Sequence, residues 1–210
     1  MQLAEGPGIQ PAGLPPQRTR EHGMPKVLVL FYSRTGNTAK LADAIAEGAG
    51  SVKFTEVELR RVDDHTPPSV IDASEEWKAS RAELAKKYRT LESIEYLAQF
   101  DALIIGGPAR YGILSAELKA TLDQAAPLWT SGALRDKVGS AFGTVAMPND
   151  GHDTNIMSIL VPMMHLGMII VPADHASGAD TVASARNQGA RVAKVAEWVR
   201  HAKSHEAHKH

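Results

Sequence analysis

Ser33-Arg34-Thr35-Gly36-Asn37-Thr38 packs three hydroxyls, an amide and a glycine into six consecutive positions. If a helix starts at the end of this segment, its first N–H groups are unpaired and carry partial positive charge. Gly36 allows a ligand to approach the backbone closely, and the hydroxyls add donors. That donor set suits a terminal phosphate without a lysine. The segment is neither the phosphate loop G-x-x-x-x-G-K-S/T nor the dinucleotide fingerprint G-x-G-x-x-G. Taken alone, it equally fits an ordinary strand-to-helix turn with a Thr or Asn cap. Pro108-Ala109-Arg110-Tyr111-Gly112 is a second candidate. Proline stops a strand there and Gly112 frees the backbone, although a bare Pro–Gly turn carrying a surface Arg–Tyr stack has the same composition. Trp129, in Pro127-Leu128-Trp129-Thr130, suits core or interface packing.

The elements that must position these residues alternate between strand and helix. Lys26 to Tyr32 (KVLVLFY) is a short apolar run suited to a strand buried on both faces. Leu41, Ala42, Ile45 and Ala49 then repeat at helical spacing over 38–49, opposite Lys40, Asp43 and Glu47. Residues 53–59 alternate as a second strand. Ser74 is placed to cap a charged helix running to about Tyr88, with a Glu83–Lys87 pair. Asp101 to Gly107 reads as the third strand, and Ser115 caps a helix carrying Leu118 and Leu122. Residues 138–145 and 168–171 supply the fourth and fifth strands, with a helix near 154–166 between them. A last helix spans about 180–200. This is an α/β pattern: one doubly wound, five-stranded parallel sheet with helices on both faces. Ligands of such sheets sit outside the carboxyl ends of the strands, where the strand order reverses. The domain is expected over 26–202, after a Pro- and Gly-rich leader at 1–25 and before a polar, His-rich tail at 203–210.

Bulk composition narrows the function. With 23 basic and 24 acidic residues the net charge is −1, so no basic excess points to nucleic acid or an anionic membrane. The chain has no cysteine, which removes disulfides, iron–sulfur clusters and thiol catalysis and suits a reducing, cytoplasmic setting. His201 and His205 are four residues apart, a metal-capable spacing, but no third ligand is fixed beside them and the tail reads as solvated. Asp150 and Asp153, around His152, read as loop and helix-cap residues rather than as a metal site or acid–base pair. Met147, Met157, Met163, Met164 and Met168 read as core filling. No Ser–His–Asp arrangement is visible.

YSRTGNT resembles the FMN-phosphate loop of flavodoxins, GGPARYG at 106–112 resembles the second flavin loop of the WrbA-type NAD(P)H:quinone oxidoreductases, and PLWTSGAL at 127–134 is similar to the same family. The resemblance spans roughly 26–172. It implies a flavodoxin-like fold and non-covalent FMN, held by Ser33, Arg34, Thr35, Gly36, Asn37 and Thr38 at the phosphate. Pro108, Ala109, Arg110, Tyr111, Gly112 and Thr144 would lie around the ring. It also implies NADH or NADPH as donor and a quinone as acceptor, with Trp129 and His165 at the substrate slot. Trp129 would cover the flavin of a neighbouring subunit. Self-association to a dimer or tetramer is expected on that ground. A second ground is the 74–88 helix, which carries only Trp77, Leu84 and Tyr88 to bury.

Three departures from the family pattern stand out. The Gly-rich third loop is replaced by Thr144-Val145-Ala146-Met147-Pro148-Asn149-Asp150-Gly151-His152, Leu166 stands where a second histidine is usual, and a Gly- and Pro-rich excursion is missing from 174–180. An electron-carrier flavodoxin and a flavin-free regulatory protein remain as alternatives. The near-neutral charge argues against the carrier, because such carriers are usually strongly acidic.

Overall fold

The computed structural model describes residues 24–147, 151–173 and 181–207. The sheet is built from β1 (Lys26–Phe31), β2 (Glu56–Arg61), β3 (Ala102–Pro108), β4 (Val138–Thr144) and β5 (Ile169–Ile170). All pairings are parallel and the order is β2-β1-β3-β4-β5. The chain therefore crosses to one side of β1 to lay down β2 and to the other side for β3. The crevice at this reversal opens beyond the carboxyl ends of β1 and β3, where Phe31 is in register with Gly106.

β1 explains the two-layer core. Val27, Val29 and Phe31 face the layer of α1 (Asn37–Gly50) and α7 (Thr181–Ala207), while Leu28, Leu30 and Tyr32 face the other layer. That second layer holds α4 (Ala116–Leu122), α5 (Ala126–Ser131) and α6 (His152–His165). Because both faces of β1 are covered, an unbroken apolar run is what the strand requires. α1 and α7 lie backbone against backbone. A Cβ at Gly48 would sit 1.9 Å from Arg186 O, and one at Gly189 would sit 1.9 Å from Ile45 O.

Several elements differ from the sequence expectation. The second strand starts at Glu56, because Phe54 turns the chain with φ 61°. The fifth strand keeps only Ile169 and Ile170 at the sheet edge. α7 runs to Ala207, through His205, with no Gly or Pro to stop it after Gly189 and with Lys203 Nζ donating to Asp136 O. Three short elements carry no clear period and were not expected: α2 (Pro68–Asp72), the 3-10 turn Ile94–Gln99 and α5. Ser74 does cap α3 (Glu75–Lys87), accepting from Trp77 N at 3.3 Å. Ser115 sits at the start of α4 without capping it. The Glu83–Lys87 pair is replaced by Lys86–Glu83 at 2.8 Å and Lys87–Asp43 at 2.7 Å, because docking on α1 offers Lys87 a tertiary partner. The expected 1–25 leader and the segment 174–180 lie almost wholly outside the described residues. No described helix is long and apolar enough to cross a membrane.

The helix contact gives a direct check. Gly189→Ala is expected to lower unfolding free energy by about 1–3 kcal/mol through overpacking. Gly50→Ala, whose Cβ meets only Val57 Cγ2 at 4.0 Å, is expected to stay within about 1 kcal/mol of wild type. Urea denaturation of the two variants measures both.

Candidate functional site

The first loop leaves β1 at Tyr32, whose N–H donates to Gly106 O at 3.0 Å. Ser33 Oγ accepts from Gly36 N at 3.1 Å and from Ala39 N at 3.4 Å, folding the loop on itself. Gly36 is the residue before α1 and takes φ 89°, a left-handed conformation that disfavours side chains. No side chain caps α1, and among the described residues no hydrogen bond takes the N–H of Asn37 or Thr38. Thr35 and Asn37 are exposed beside these free donors. Thr38 is 2% exposed and shares a 2.8 Å hydrogen bond with Thr144 Oγ1, tying the loop to the end of β4. Ser33 and Thr38 thus shape the loop from inside, and Thr35, Gly36 and Asn37 form its open face. The Arg34 guanidinium lies 3.7 Å over the Trp77 ring.

The second loop begins where β3 ends on glycines. A Cβ on Gly106 would meet the Phe142 ring at 2.4 Å. Ala109 N donates to Thr144 O at 2.8 Å, holding the loop beside β4. Arg110 and Ile113 then exchange both backbone hydrogen bonds, with Tyr111 at φ 51° and Gly112 at φ 81° between them. Two central residues with positive φ make a type I′ turn. Tyr111 is lifted to its tip and is fully exposed. A non-glycine residue in this conformation costs about 1–2 kcal/mol, strain of the kind that gathers at ligand clamps.

One glycine of the third loop, Gly151, brings the described part of that loop against the second. It precedes α6 with φ 74°, and its Cβ would lie 2.5 Å from Gly112 Cα. The second and third loops therefore touch backbone to backbone. Asn155 Nδ2 donates to Gly107 O at 3.2 Å and Leu114 N to Ser158 Oγ at 2.8 Å, fastening α6 to the second loop. Pro148, Asn149 and Asp150 lie outside the described residues.

The remaining expected residues stand elsewhere. His165 ends α6, next to Gly167, whose carbonyl accepts from Asp136 N just before β4. The 14 residues of α6 span about 21 Å, so His165 belongs to the amino ends of the strands. Trp129 is on α5, which packs against the 3-10 turn leading into β3, and is 65% exposed. Its exposure excludes burial in its own core. Both therefore lie away from the described parts of the loops of their own chain. The charged helix also differs from expectation: Trp77 (4% exposed) and Tyr88 (8%) find their burial within the chain, so α3 does not call for a subunit contact. Among the described residues no three metal-ligating side chains cluster, and His201 faces Glu197 at 3.9 Å.

Sequence reasoning missed Asp64. Its carboxylate accepts from Tyr32 OH at 2.8 Å and Trp77 Nε1 at 3.2 Å, and pairs with Arg81 Nε at 3.3 Å. Burial, reinforced by the Asp64 hydrogen bond, pushes the Tyr32 phenol well above its ordinary range, so it stays a neutral donor. Nothing in the local sequence around Asp64 signals this, because its partners come from the end of β1 and from α3.

Residues 25–181 match the family described as NADPH-dependent FMN reductase. The chain belongs to this family. FMN reductase family relatives include an enzyme named NAD(P)H dehydrogenase (quinone) from Cupriavidus metallidurans, 36% identical over 193 residues, which cover 85% of this chain and 93% of that one. Another of the same name, from Paraburkholderia phymatum, is 36% identical over 202 residues, covering 82% and 98%. Among solved structures, a flavodoxin, WrbA-like protein from Agrobacterium tumefaciens is similar with a TM-score of 0.60 at 25% identity, covering 83% of this chain and 98% of that one. An archaeal flavodoxin at 18% identity and TM-score 0.55, covering 82% and 99%, shares the fold. The flavodoxin-like, WrbA-type reading of the sequence agrees with these relationships.

In this FMN reductase family member, the Thr38–Thr144 bond is the tie between the first and third loops. Thr38→Val is expected to cost about 1 kcal/mol, and Thr144→Val in that background little more, because the bond is already gone. A double-mutant cycle by urea denaturation reads the coupling. Fully additive losses would mean that the two hydroxyls act independently.

Proposed function

We infer that the chain is an FMN-dependent oxidoreductase that moves electrons from NAD(P)H to a quinone. The observation that carries this reading is the open start of α1 at the strand-order reversal. Free N–H groups at Asn37 and Thr38, the exposed side chains of Thr35 and Asn37, and the positive end of a 14-residue helix face one crevice. That donor set fits the phosphate of FMN. The family match and the names of the relatives supply the donor and acceptor classes.

FMN, when bound, would supply a hydride acceptor for NAD(P)H and a two-electron donor for the quinone. The chain's own residues bind and orient. Thr35 and Asn37 hold the phosphate together with the backbone, and Arg34 adds positive charge at the rim. Pro108, Ala109, Arg110 and Gly112 present a rigid edge to the ring, and Tyr111 stands beside it on the strained turn. Thr144 braces the first loop through Thr38.

Self-association belongs to the same reading. Trp129 is exposed, and so are Met157, Val161 and Met164, spaced along one face of α6, and Ile169 on the edge strand. Met164, His165 and Ile169 lie toward the pole opposite the loops, as does Trp129 on α5, and Met157 and Val161 continue the α6 face back from it. A dimer or tetramer would bring Trp129 and His165 to a neighbour's flavin, where they would wall the quinone slot. Reliance on NAD(P)H accords with a cytoplasmic location.

Titration of apo-protein is expected to show tight FMN binding and weaker binding of both riboflavin and FAD. Thr35→Ala should weaken FMN by about 1–3 kcal/mol and leave riboflavin nearly unchanged. Equal or better FAD binding would sink the phosphate assignment. For the assembly, light scattering should give at least twice the 22.6 kDa chain mass. Trp129→Ala should raise KM for benzoquinone more than it weakens FMN. An active single chain, or a Trp129 variant with unchanged quinone kinetics, argues for a different slot.

A further inference from the structure

Helix α3 is not part of the donor set described above, yet it lies against it. The Arg34 guanidinium sits 3.7 Å above the Trp77 ring, at cation–π distance. Trp77 is 4% exposed, so the ring under that guanidinium is fixed by packing. It is fixed a second time by its Nε1–H bond to Asp64, which is also held by Tyr32 OH and Arg81. Tyr32 is the residue that opens the first loop. One turn along α3, Ser80 Oγ lies 3.9 Å from where a Gly36 Cβ would be. Two successive positions on one face of α3 therefore line the start of α1. Among the described residues no carboxylate pairs with Arg34, leaving its charge for something else.

We propose that Trp77 is a positioning residue for cofactor recognition: it holds the Arg34 guanidinium at the mouth of the first loop, where it selects for a phosphate-bearing flavin. This rests on the FMN reading of the site. An arginine side chain loses considerable rotamer freedom when it binds an anion. Stacking on a ring anchored to Asp64 removes much of that freedom beforehand, so the phosphate meets an ordered cation. The α2–α3 segment between β2 and β3 thus becomes one wall of the phosphate site, and Asp64 couples that wall to the loop through Tyr32.

The measured quantity is the ratio of the riboflavin to the FMN dissociation constant, from fluorescence titration of apo-protein. The ratio cancels general damage to the loop, since both flavins share the ring. Trp77→Leu and Arg34→Met are each expected to lower it about ten-fold, the scale of one charge-assisted hydrogen bond. In the Arg34→Met background, Trp77→Leu should change it no further, because Trp77 acts through the guanidinium. Trp77→Phe keeps a ring beneath Arg34, should recover most of the ratio, and serves if Trp77→Leu does not fold. Wild-type protein that does not prefer FMN to riboflavin would overturn the FMN reading itself. A wild-type preference that survives both Arg34→Met and Trp77→Leu would overturn only the proposal, as would a Trp77 effect that persists after Arg34 is removed.

Discussion

The unpaired N–H groups at the start of α1 are the constraint around which the carboxyl pole of the sheet is organised. A 14-residue helix with no side-chain cap leaves polar groups that something must satisfy. Ser33 settles part of the demand by accepting from Gly36 and Ala39. The donors that remain, at Asn37 and Thr38, lie at the crevice between β1 and β3. An anion there completes the helix, so the fold builds its binding site by leaving a helix end unfinished.

The neighbouring parts keep that end rigid. Thr38 is tied to Thr144 at the end of β4, and Ala109 to the same residue's carbonyl. Gly112 and Gly151 let the second and third loops meet at backbone distance, and Asn155 binds α6 to β3. On the opposite side Asp64 gathers Tyr32, Trp77 and Arg81 into a buried, fully partnered carboxylate. A buried charge without those partners would be strongly destabilising, so the end of β1 and α3 are obliged to converge on it.

The loss of family glycines from the third loop, noted in the sequence, leaves its contact with the second loop in place. The contact that the described part of this loop makes needs one glycine, and Gly151 supplies it. In the same way, the charged helix that looked under-buried in sequence is anchored by Trp77 and Tyr88 inside the chain. That impression came from counting residues in one segment, whereas burial is decided by what the segment meets.

The sequence by itself determined the layered α/β architecture, because runs such as KVLVLF and ALIIGG admit little but doubly covered parallel strands. It also determined the first two loops, because hydroxyls, Gly36, Pro108 and Gly112 have local conformational meaning. Only the tertiary structure decided which hydroxyls face inward, that Tyr111 rides a type I′ turn, that Trp129 and His165 lie at the far pole, and that Trp77 reaches Arg34. These depend on contacts between residues far apart in the chain, such as Thr38 with Thr144 or Tyr32 with Asp64. Local periodicity records which face of an element is apolar, but it carries no information about the partner that face will find.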